Sequence, residues 1–558
     1  MSRNQYSIVE YHSKQERNSC GYCRSPNTSY SHGMTTQLLT VQHYQSLIDR
    51  GWRRSGCYCY KPMMKRTCCP HYTIKCDALD FKLSKSQKKI LKRMVKFLKN
   101  ELSKEEEKKA SRIGCDEDIV RGMEIPDYSM FTERADTDAS KMQVTSVSEE
   151  LSHRLNSTVD NTNLNTSTSK PPDKNIASTP TQPMETSSNE LRRANFDSTR
   201  APQKKAKQLR IERKQQKLLA QGKTMEEINA IMKKNRPQNT GKTLEDFFDE
   251  IGKCSNKLEL KLVRTSPPSD DYKKNAKESF QVYKKYQTSI HGDKLSKLSE
   301  ERYARFLVRS PLRMKLVRVM SEEFLETLDK SAKLYKKYQM TIHKDKPKNC
   351  DKRAFFDFLV RSPLQQWIPE DGPPAGYGSF HEQYWLNGVL IAVAVIDILP
   401  SCVSSVYFFY DPAYSYLSLG TFSSLREVFL TRQLNKHSPD LKYYYMGYYI
   451  HSCMKMRYKA KMRPSKLLCP ETYVWCDIDK CLPKLDASKY SRLNEDLEAV
   501  DENGEVDTNQ VLILYHNKAM MYGVYRRHVQ NEVVDNEIKE YAPLVGKQCA
   551  LNMLYFID

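Results

Sequence analysis

This sequence has no long hydrophobic run. Its longest apolar stretch, Gly388–Pro400, contains Asp397 and falls short of the ~20 residues that a membrane-crossing helix needs. It reads as a buried strand, and no membrane partner is expected. Met1–Glu10 lacks the apolar segment of a secretory leader, so the expected location is cytoplasmic and nuclear. Disulfides are disfavoured in such reducing compartments. The 16 cysteines are therefore metal ligands, reactive thiols or buried apolar groups. Negative charge is in deficit: 68 acidic against 90 basic residues leave a net +22. That surplus points to a polyanionic partner, nucleic acid first. Large apolar side chains are scarce from Thr145 to Thr199, where Ser, Thr, Asn and Pro dominate. Too little surface can be buried there to offset the entropy of ordering.

With 558 residues the chain has room for two or more domains. Residues 1–103 read as a small cysteine-rich domain ending in a basic amphipathic helix, Ser84–Leu102, whose apolar face is Ile90, Leu91, Met94, Val95 and Leu98. Residues 104–200 read as a disordered linker and 201–240 as a basic helix, within which Lys204–Lys234 ends before Pro237. Pro202–Arg210 there fits a nuclear import signal, a tRNA contact or a solvated face. Residues 241–375 hold a duplication. Tyr283–Gln287 and Val308–Leu312 recur 52 residues on, at Tyr335–Gln339 and Val360–Leu364, and Lys261–Arg264 recurs at Lys315–Arg318. Two copies are too few for a solenoid. Each reads strand, helix, loop, helix. A strand slot in a sheet has one set of ladder partners, so one copy belongs to the core. The second is expected there because it runs directly into Gly376–Gly388. Residues 376–558 alternate strands (Val389–Leu399, Val403–Tyr410, Lys442–Ile450) with a helix, Leu425–Leu434, that Thr421 or Ser423 can cap. The fold class is α/β (α+β).

Seven of the cysteines lie between Cys20 and Cys76. Cys20-Gly-Tyr-Cys23 puts two sulfurs on one tight turn, and Cys68-Cys69-Pro70 supplies a second pair. Four thiolates suit tetrahedral zinc or an iron–sulfur cluster, and spacing does not choose between them. Cys57, Cys59 and Cys76, with His32 and His71 nearby, are alternative ligands.

Several long motifs resemble the eukaryotic arginyl-tRNA–protein transferases. At the N-terminal end these are Ser19–Met34 (SCGYCRSPNTSYSHGM), Gly51–Pro62 (GWRRSGCYCYKP) and Thr67–Pro70 (TCCP). Toward the C-terminus they are Gly376–Gly388, Val395–Pro412, Leu417–Glu427, Tyr443–Lys459 and Cys469–Trp475. The resemblance covers residues 1–100 and about 240–558. It implies a GNAT-like C-terminal transferase core related to bacterial leucyl/phenylalanyl-tRNA–protein transferases. It also implies transfer of arginine from arginyl-tRNA to N-terminal Asp, Glu or oxidised Cys, which creates an N-degron. By the same resemblance Cys20, Cys23, Cys68 and Cys69 are iron–sulfur ligands. Animal members carry one version of the Lys261–Leu364 unit, whereas this chain carries both. A monomer is expected.

An aminoacyl ester is already activated, so such transfer needs neither ATP nor coenzyme A. The acceptor amine, pKa ~8, must be aligned with the ester and lose a proton. Candidates to hold the arginine guanidinium are Glu382, Asp397, Asp411 and Glu427. Candidates for the acidic acceptor are Arg426, Arg432, Lys455, Arg457 and Lys459. Tyr377, Tyr384 or the tyrosines of Tyr443–Tyr449, Tyr448 among them, can stack on the terminal adenine. His381, Tyr384 and Asp397 are the expected catalytic groups, with His381 or a tyrosine relaying the proton. Acetyl transfer is the competing enzymatic reading. It needs a glycine-rich turn to cradle phosphate, and the Leu417–Glu427 junction offers Gly420 alone. A metal-binding, RNA-associated interaction protein is the non-enzymatic alternative.

Overall fold

The computed structural model describes residues 6–99, 101–103, 146–148, 242–252 and 312–557, with isolated positions between. The expected basic helix, nearly all of the linker and the first copy of the duplication lie outside the described residues. Among the described residues no helix is long and apolar enough to cross a membrane.

Two mixed eight-stranded sheets form the core. The first has the order β3 (Arg53–Ser55), β4 (Tyr58–Pro62), β2 (Ser29–Leu38), β1 (Ser7–Asn18), β16 (Met553–Ile557), β14 (Leu512–Tyr515), β15 (Lys518–Met521), β6 (Ser146–Val147). The second runs β13 (Trp475–Asp477), β12 (Ser465–Leu468), β5 (Tyr72–Asp77), β11 (Tyr443–Tyr449), β10 (Cys402–Tyr410), β9 (Val389–Ile398), β8 (Gly378–Leu386), β7 (Leu312–Arg318). The chain ends are interleaved in both. β1 pairs in parallel with β16, and β5 lies between β12 and β11. Residues 1–103 therefore do not form a small domain apart, as expected from sequence, but supply strands to sheets completed by residues 312–557. The physical reason is that β5 is buried along nearly its whole length and finds ladder partners only in the C-terminal strands.

The continuous apolar run of β9 marks a strand covered on both faces. β8 is just as buried although it carries His381, Glu382 and Gln383, and its polar side chains find fixed partners. The second copy of the duplication fills the sheet edge. Its strand β7 pairs antiparallel with β8, from Leu312 opposite Leu386 to Arg318 opposite Phe380. Helix α1 (Val41–Ile48) is capped by Thr40. Helix α2 (Lys85–Leu98) begins with a reciprocal capping box between Ser84 and Gln87, and its expected apolar face is buried. Helix α3 (Leu244–Gly252) stacks Phe248 on Phe429, 4.7 Å between ring centres. Helix α4 (Leu328–Tyr338) turns Tyr335 and Tyr338 inward. Helix α5 (Leu419–Asn435) starts earlier than the sequence suggests. Its N-cap is Ser418, with φ 53° and no side-chain cap bond, so neither Thr421 nor Ser423 caps it.

One buried ion pair ties the two sheets together. Arg54 of β3 donates from Nε to Asp397 Oδ2 at 2.8 Å and from a terminal nitrogen to Oδ1 at 2.6 Å. Ser379 of β8 donates to the same Oδ1 at 2.8 Å and accepts from Arg54 at 3.1 Å. Both charged side chains are at most 1% exposed. Removing one partner strands the other charge. Asp397→Ala should therefore cost about 3–5 kcal/mol, whereas an Arg54→Met/Asp397→Leu double variant should recover much of that. Urea unfolding of the three proteins checks both expectations.

Candidate active-site cleft and four-cysteine centre

The cleft exists because two neighbouring strands stop pairing. β10 and β11 run parallel but share only three register pairs, Cys402–Ser404 with Tyr443–Tyr445. Beyond them β10 shifts register against β9 between Ser405 and Tyr407, and β11 shifts against β5 between Tyr445 and Tyr448. Gly447 makes the second irregularity possible, with φ +68° in the left-handed region that glycine tolerates. The resulting cavity of about 290 Å³ is lined by Ser404–Phe408, by Gly420, Thr421, Ser423, Ser424 and Glu427 of α5, by Tyr444, Met446, Gly447 and Tyr448, by Lys455, Met456, Tyr458 and Lys459, and by Arg53, Arg54 and Tyr60 from the N-terminal strands.

Its polar groups are few and deeply buried. Glu427 accepts a hydrogen bond from Ser423 at 2.7 Å on Oε1, while Oε2 has no hydrogen-bond partner. Burial pushes its carboxyl up to about 7, and hydroxyls of Ser423, Tyr444 and Ser405 offset this only in part. Lys459 donates to the Tyr448 carbonyl at 2.7 Å. Burial, helped by the nearby Arg53, draws its ammonium down to about 7. Arg53 donates to the Trp52 carbonyl at 2.8 Å and sits 5.3 Å from the Tyr448 ring centre, yet its buried Nε has no partner. An anion and a cation, each with an unused polar atom, thus share one aromatic-walled cleft.

Five of the residues singled out from sequence line this cavity: Glu427, Tyr444, Tyr448, Lys455 and Lys459. Asp397 reaches it only through Arg54. Tyr384 lies behind the wall, its hydroxyl donating to Glu382 at 3.2 Å and to Ser423 at 3.4 Å. The other candidates are outside the lining. Glu382 pairs with Arg426 at 2.9 Å. His381 is buried against Phe324, its Nε2 3.0 Å from the Leu359 carbonyl, and burial lowers it to about 4. Asp411 pairs with Lys337 and accepts from the Ala413 amide. Arg432 binds the Phe81 carbonyl at 2.7 Å and Glu245. Arg457 donates to the His451 carbonyl at 3.0 Å. Tyr377 bonds Ser438 at 2.7 Å.

Beside the cleft, Cys20 and Cys23 occupy a tight turn after β1, closed by the Arg24 amide on the Cys20 carbonyl at 3.0 Å. Cys68 and Cys69 lie just before β5. The four sulfurs are all within 4.8 Å of one another, and Cys23 and Cys68 approach to 3.3 Å. They are the one group of three or more potential ligands found among the described residues. Cys57, Cys59, Cys76 and His32 stand apart from it. His71 packs between Tyr22 and Tyr448, 5.0 and 5.3 Å between ring centres. All four cysteines are free thiols. Convergent thiols backed by Ile450, Met456 and Tyr22 form a soft donor set that fits a thiophilic metal centre. Tyr22 and Met456 also line the cleft, so the two features share a wall.

Comparison with known proteins agrees with this arrangement. The family description "Arginine-tRNA-protein transferase, N terminus" matches residues 18–89, and "Arginine-tRNA-protein transferase, C terminus" matches residues 330–469. Arginyl-tRNA–protein transferase 1 of Drosophila melanogaster is 41% identical over 98% of this chain and 99% of its own length. This chain belongs to the arginyl-tRNA–protein transferase family. The Arabidopsis thaliana arginyl-tRNA–protein transferase 2 is 34% identical over 86% of the chain and 76% of its own length. A shorter match, 31% identical over 28% of the chain and 69% of the relative, links it to an aspartate/glutamate leucyltransferase of Pseudomonas fluorescens. In this family member the N-terminal match contains the cysteine turn, both cleft arginines and the second cysteine pair. The C-terminal match contains β8 to β11 and α5. Sequence reasoning missed Arg53, Arg54, Tyr22, Tyr44 and Tyr60 as cleft residues. Adjacent arginines after a tryptophan, flanked by strand formers, were the available signal.

Two outcomes follow for the purified protein. Replacing any one of Cys20, Cys23, Cys68 or Cys69 by Ser should lower bound metal, whereas Cys402→Ser and Cys549→Ser, buried elsewhere in the core, should not. Metal analysis of anaerobically prepared protein reads this out. Glu427 should make stability pH-dependent. Its folded pKa, about 7, exceeds its unfolded value, so its contribution is fully present below about pH 4.3 and is lost as pH rises through 7. Glu427→Gln should therefore gain stability relative to the unsubstituted chain between pH 5 and pH 7.5, measured as the difference in urea midpoints at the two pH values.

Proposed function

We propose that this chain transfers arginine from arginyl-tRNA to the N-terminal amine of proteins beginning with Asp, Glu or oxidised Cys, and so marks them for ubiquitin-dependent degradation. The observation that carries the reading is the cleft in a member of this family, lined by Glu427 and Arg53, whose carboxyl Oε2 and guanidinium Nε have no hydrogen-bond partner within the chain. Glu427 Oε2 takes the arginine guanidinium, a charge-assisted contact that draws off the proton burial keeps on it. Arg53 takes the acidic side chain of the acceptor, with Lys455 and Lys459 beside it. The acceptor amine attacks the ester carbonyl, the C–O bond to the terminal ribose breaks, and the ribose oxygen takes up a proton and leaves as the hydroxyl of uncharged tRNA. Lys459, poised near neutrality, is suited to receive the amine proton. The cleft tyrosines offer rings on which the terminal adenine stacks.

The core is read as GNAT-like, in keeping with a β10–α5–β11 crossover whose parallel strands part to open the cleft. The four-cysteine centre is read as iron–sulfur, with zinc the alternative. Neither ATP nor coenzyme A has a step to supply. The protein is read as a monomer of cytoplasm and nucleus. The basic surplus suits tRNA, and activity should fall with salt as counterion release weakens.

The deciding experiment gives the protein labelled arginyl-tRNA or labelled acetyl-CoA with peptides beginning Asp or Asn. Label should pass only from arginyl-tRNA, and to Asp far better than to Asn. Loss of one charge-assisted contact, about 1.5–3 kcal/mol, corresponds to roughly 10–150-fold in rate. Arg53→Gln should erase the Asp preference by about that factor, and Glu427→Gln should lower use of arginyl-tRNA with both peptides. Equal rates for Asp and Asn in the unsubstituted protein would refute the assignment of the acceptor.

A further inference from the structure

A second group of thiols lies away from the cleft and the four-cysteine centre. Cys469 follows β12, Cys476 is the middle residue of the edge strand β13, and Cys481 sits one turn into helix α6 (Ile478–Ala487). Cys469 and Cys481 are fully buried, whereas Cys476 is half-buried and open on one side. The strand-to-helix turn folds Cys481 back onto Cys476. The Cys481 thiol approaches the Cys476 carbonyl oxygen at 3.8 Å, and the Cys476 thiol lies 3.7 Å from the Val474 carbonyl. The neighbouring Cys481 thiol, aided by the Lys484 ammonium, draws Cys476 down to about 7. Cys469 is engaged with Thr472 instead. Asp477, at the N-cap between the two cysteines, makes no side-chain cap bond.

An accessible thiolate backed by a buried partner thiol is the arrangement of a peroxide-sensing pair. A merely structural thiol would be buried without an exposed nucleophilic neighbour. We propose that Cys476 and Cys481 form a redox-sensitive pair that closes into an intramolecular disulfide on exposure to a peroxide. The Cys476 thiolate attacks one peroxide oxygen, breaking the O–O bond, to give a sulfenic acid and, after protonation, water. The Cys481 sulfur then attacks the Cys476 sulfur and expels the hydroxyl, which takes the Cys481 proton and leaves as a second water. Two thiols are oxidised by two electrons and one peroxide is reduced to two waters. A thiol reductant reverses the closure.

The test uses the full chain and hydrogen peroxide, followed by alkylation and peptide mass analysis. Cleavage after Lys480 separates the two cysteines, so the disulfide appears as two linked peptides. The expected result is a Cys476–Cys481 linkage that dithiothreitol removes, with Cys402 and Cys549 still alkylated. Cys481→Ser should halt at a Cys476 sulfenic acid that dimedone traps, and Cys476→Ser should leave Cys481 unmodified. Linkage of either cysteine to Cys469 would overturn the proposal. So would a Cys476 that stays reduced while the exposed Cys23 is oxidised, or Cys476 passing to sulfinic acid beside an unreacted Cys481.

Discussion

The buried pair of Arg54 and Asp397 is the constraint on which the rest of this molecule hangs. Taking two ions out of water costs several kcal/mol each, and the interior attraction offsets that only when geometry is good and the remaining polar atoms are satisfied. Here the guanidinium meets the carboxylate at two points and Ser379 serves both. The pair fixes β3 of one sheet against β8 and β9 of the other. Arg54 and the adjacent Arg53 both line the cleft, Arg54 fixed there by Asp397 and Arg53 lying beside the Tyr448 ring.

The four-cysteine centre acts on the same space from another direction. Tyr22, one of the two residues between Cys20 and Cys23 in the chain, forms part of the cleft wall, and His71 bridges Tyr22 to Tyr448 by edge-on ring contacts. Ligands held by a metal cannot drift, so a filled centre would fix the Cys20–Cys23 turn and, through Tyr22, the aromatic surface beside Arg53. The centre need not touch a reacting atom to matter. Its sulfurs come from loops flanking β1 and β5, the two N-terminal strands that pair with C-terminal partners.

Sequence alone exposed the features with a local signature. The CxxC turn and the vicinal cysteines pointed to a cluster of sulfurs, which the structure brings together, and the apolar run of β9 announced a doubly covered strand. The second copy of the duplication was placed in the core by its continuity with β8, and β7 lies there. Partners distant in the chain were not legible. Glu382, Asp411 and Arg432 look available on the page, but Arg426, Lys337 and Glu245 already occupy them. Nothing near Arg53 in sequence says that β11 will deliver Tyr448 to its side. The charge of a residue is readable from its letter, whereas its spare bonding capacity is a property of the folded neighbourhood.

The same reasoning accounts for why a duplicated unit can be accommodated. β7 occupies an edge, where a strand needs one partner rather than two. Upstream of it, α3 is anchored independently by Phe248 against Phe422 and Phe429. The chain joining those two fixed elements can therefore change length without altering either contact. Loop-closure entropy grows only with the logarithm of the span, about 0.6 kcal/mol for each doubling. That is small beside the several kcal/mol carried by the Arg54–Asp397 pair. Strand β7 of the second copy holds that edge position, and the chain that follows it is itself tethered to the sheet as β8.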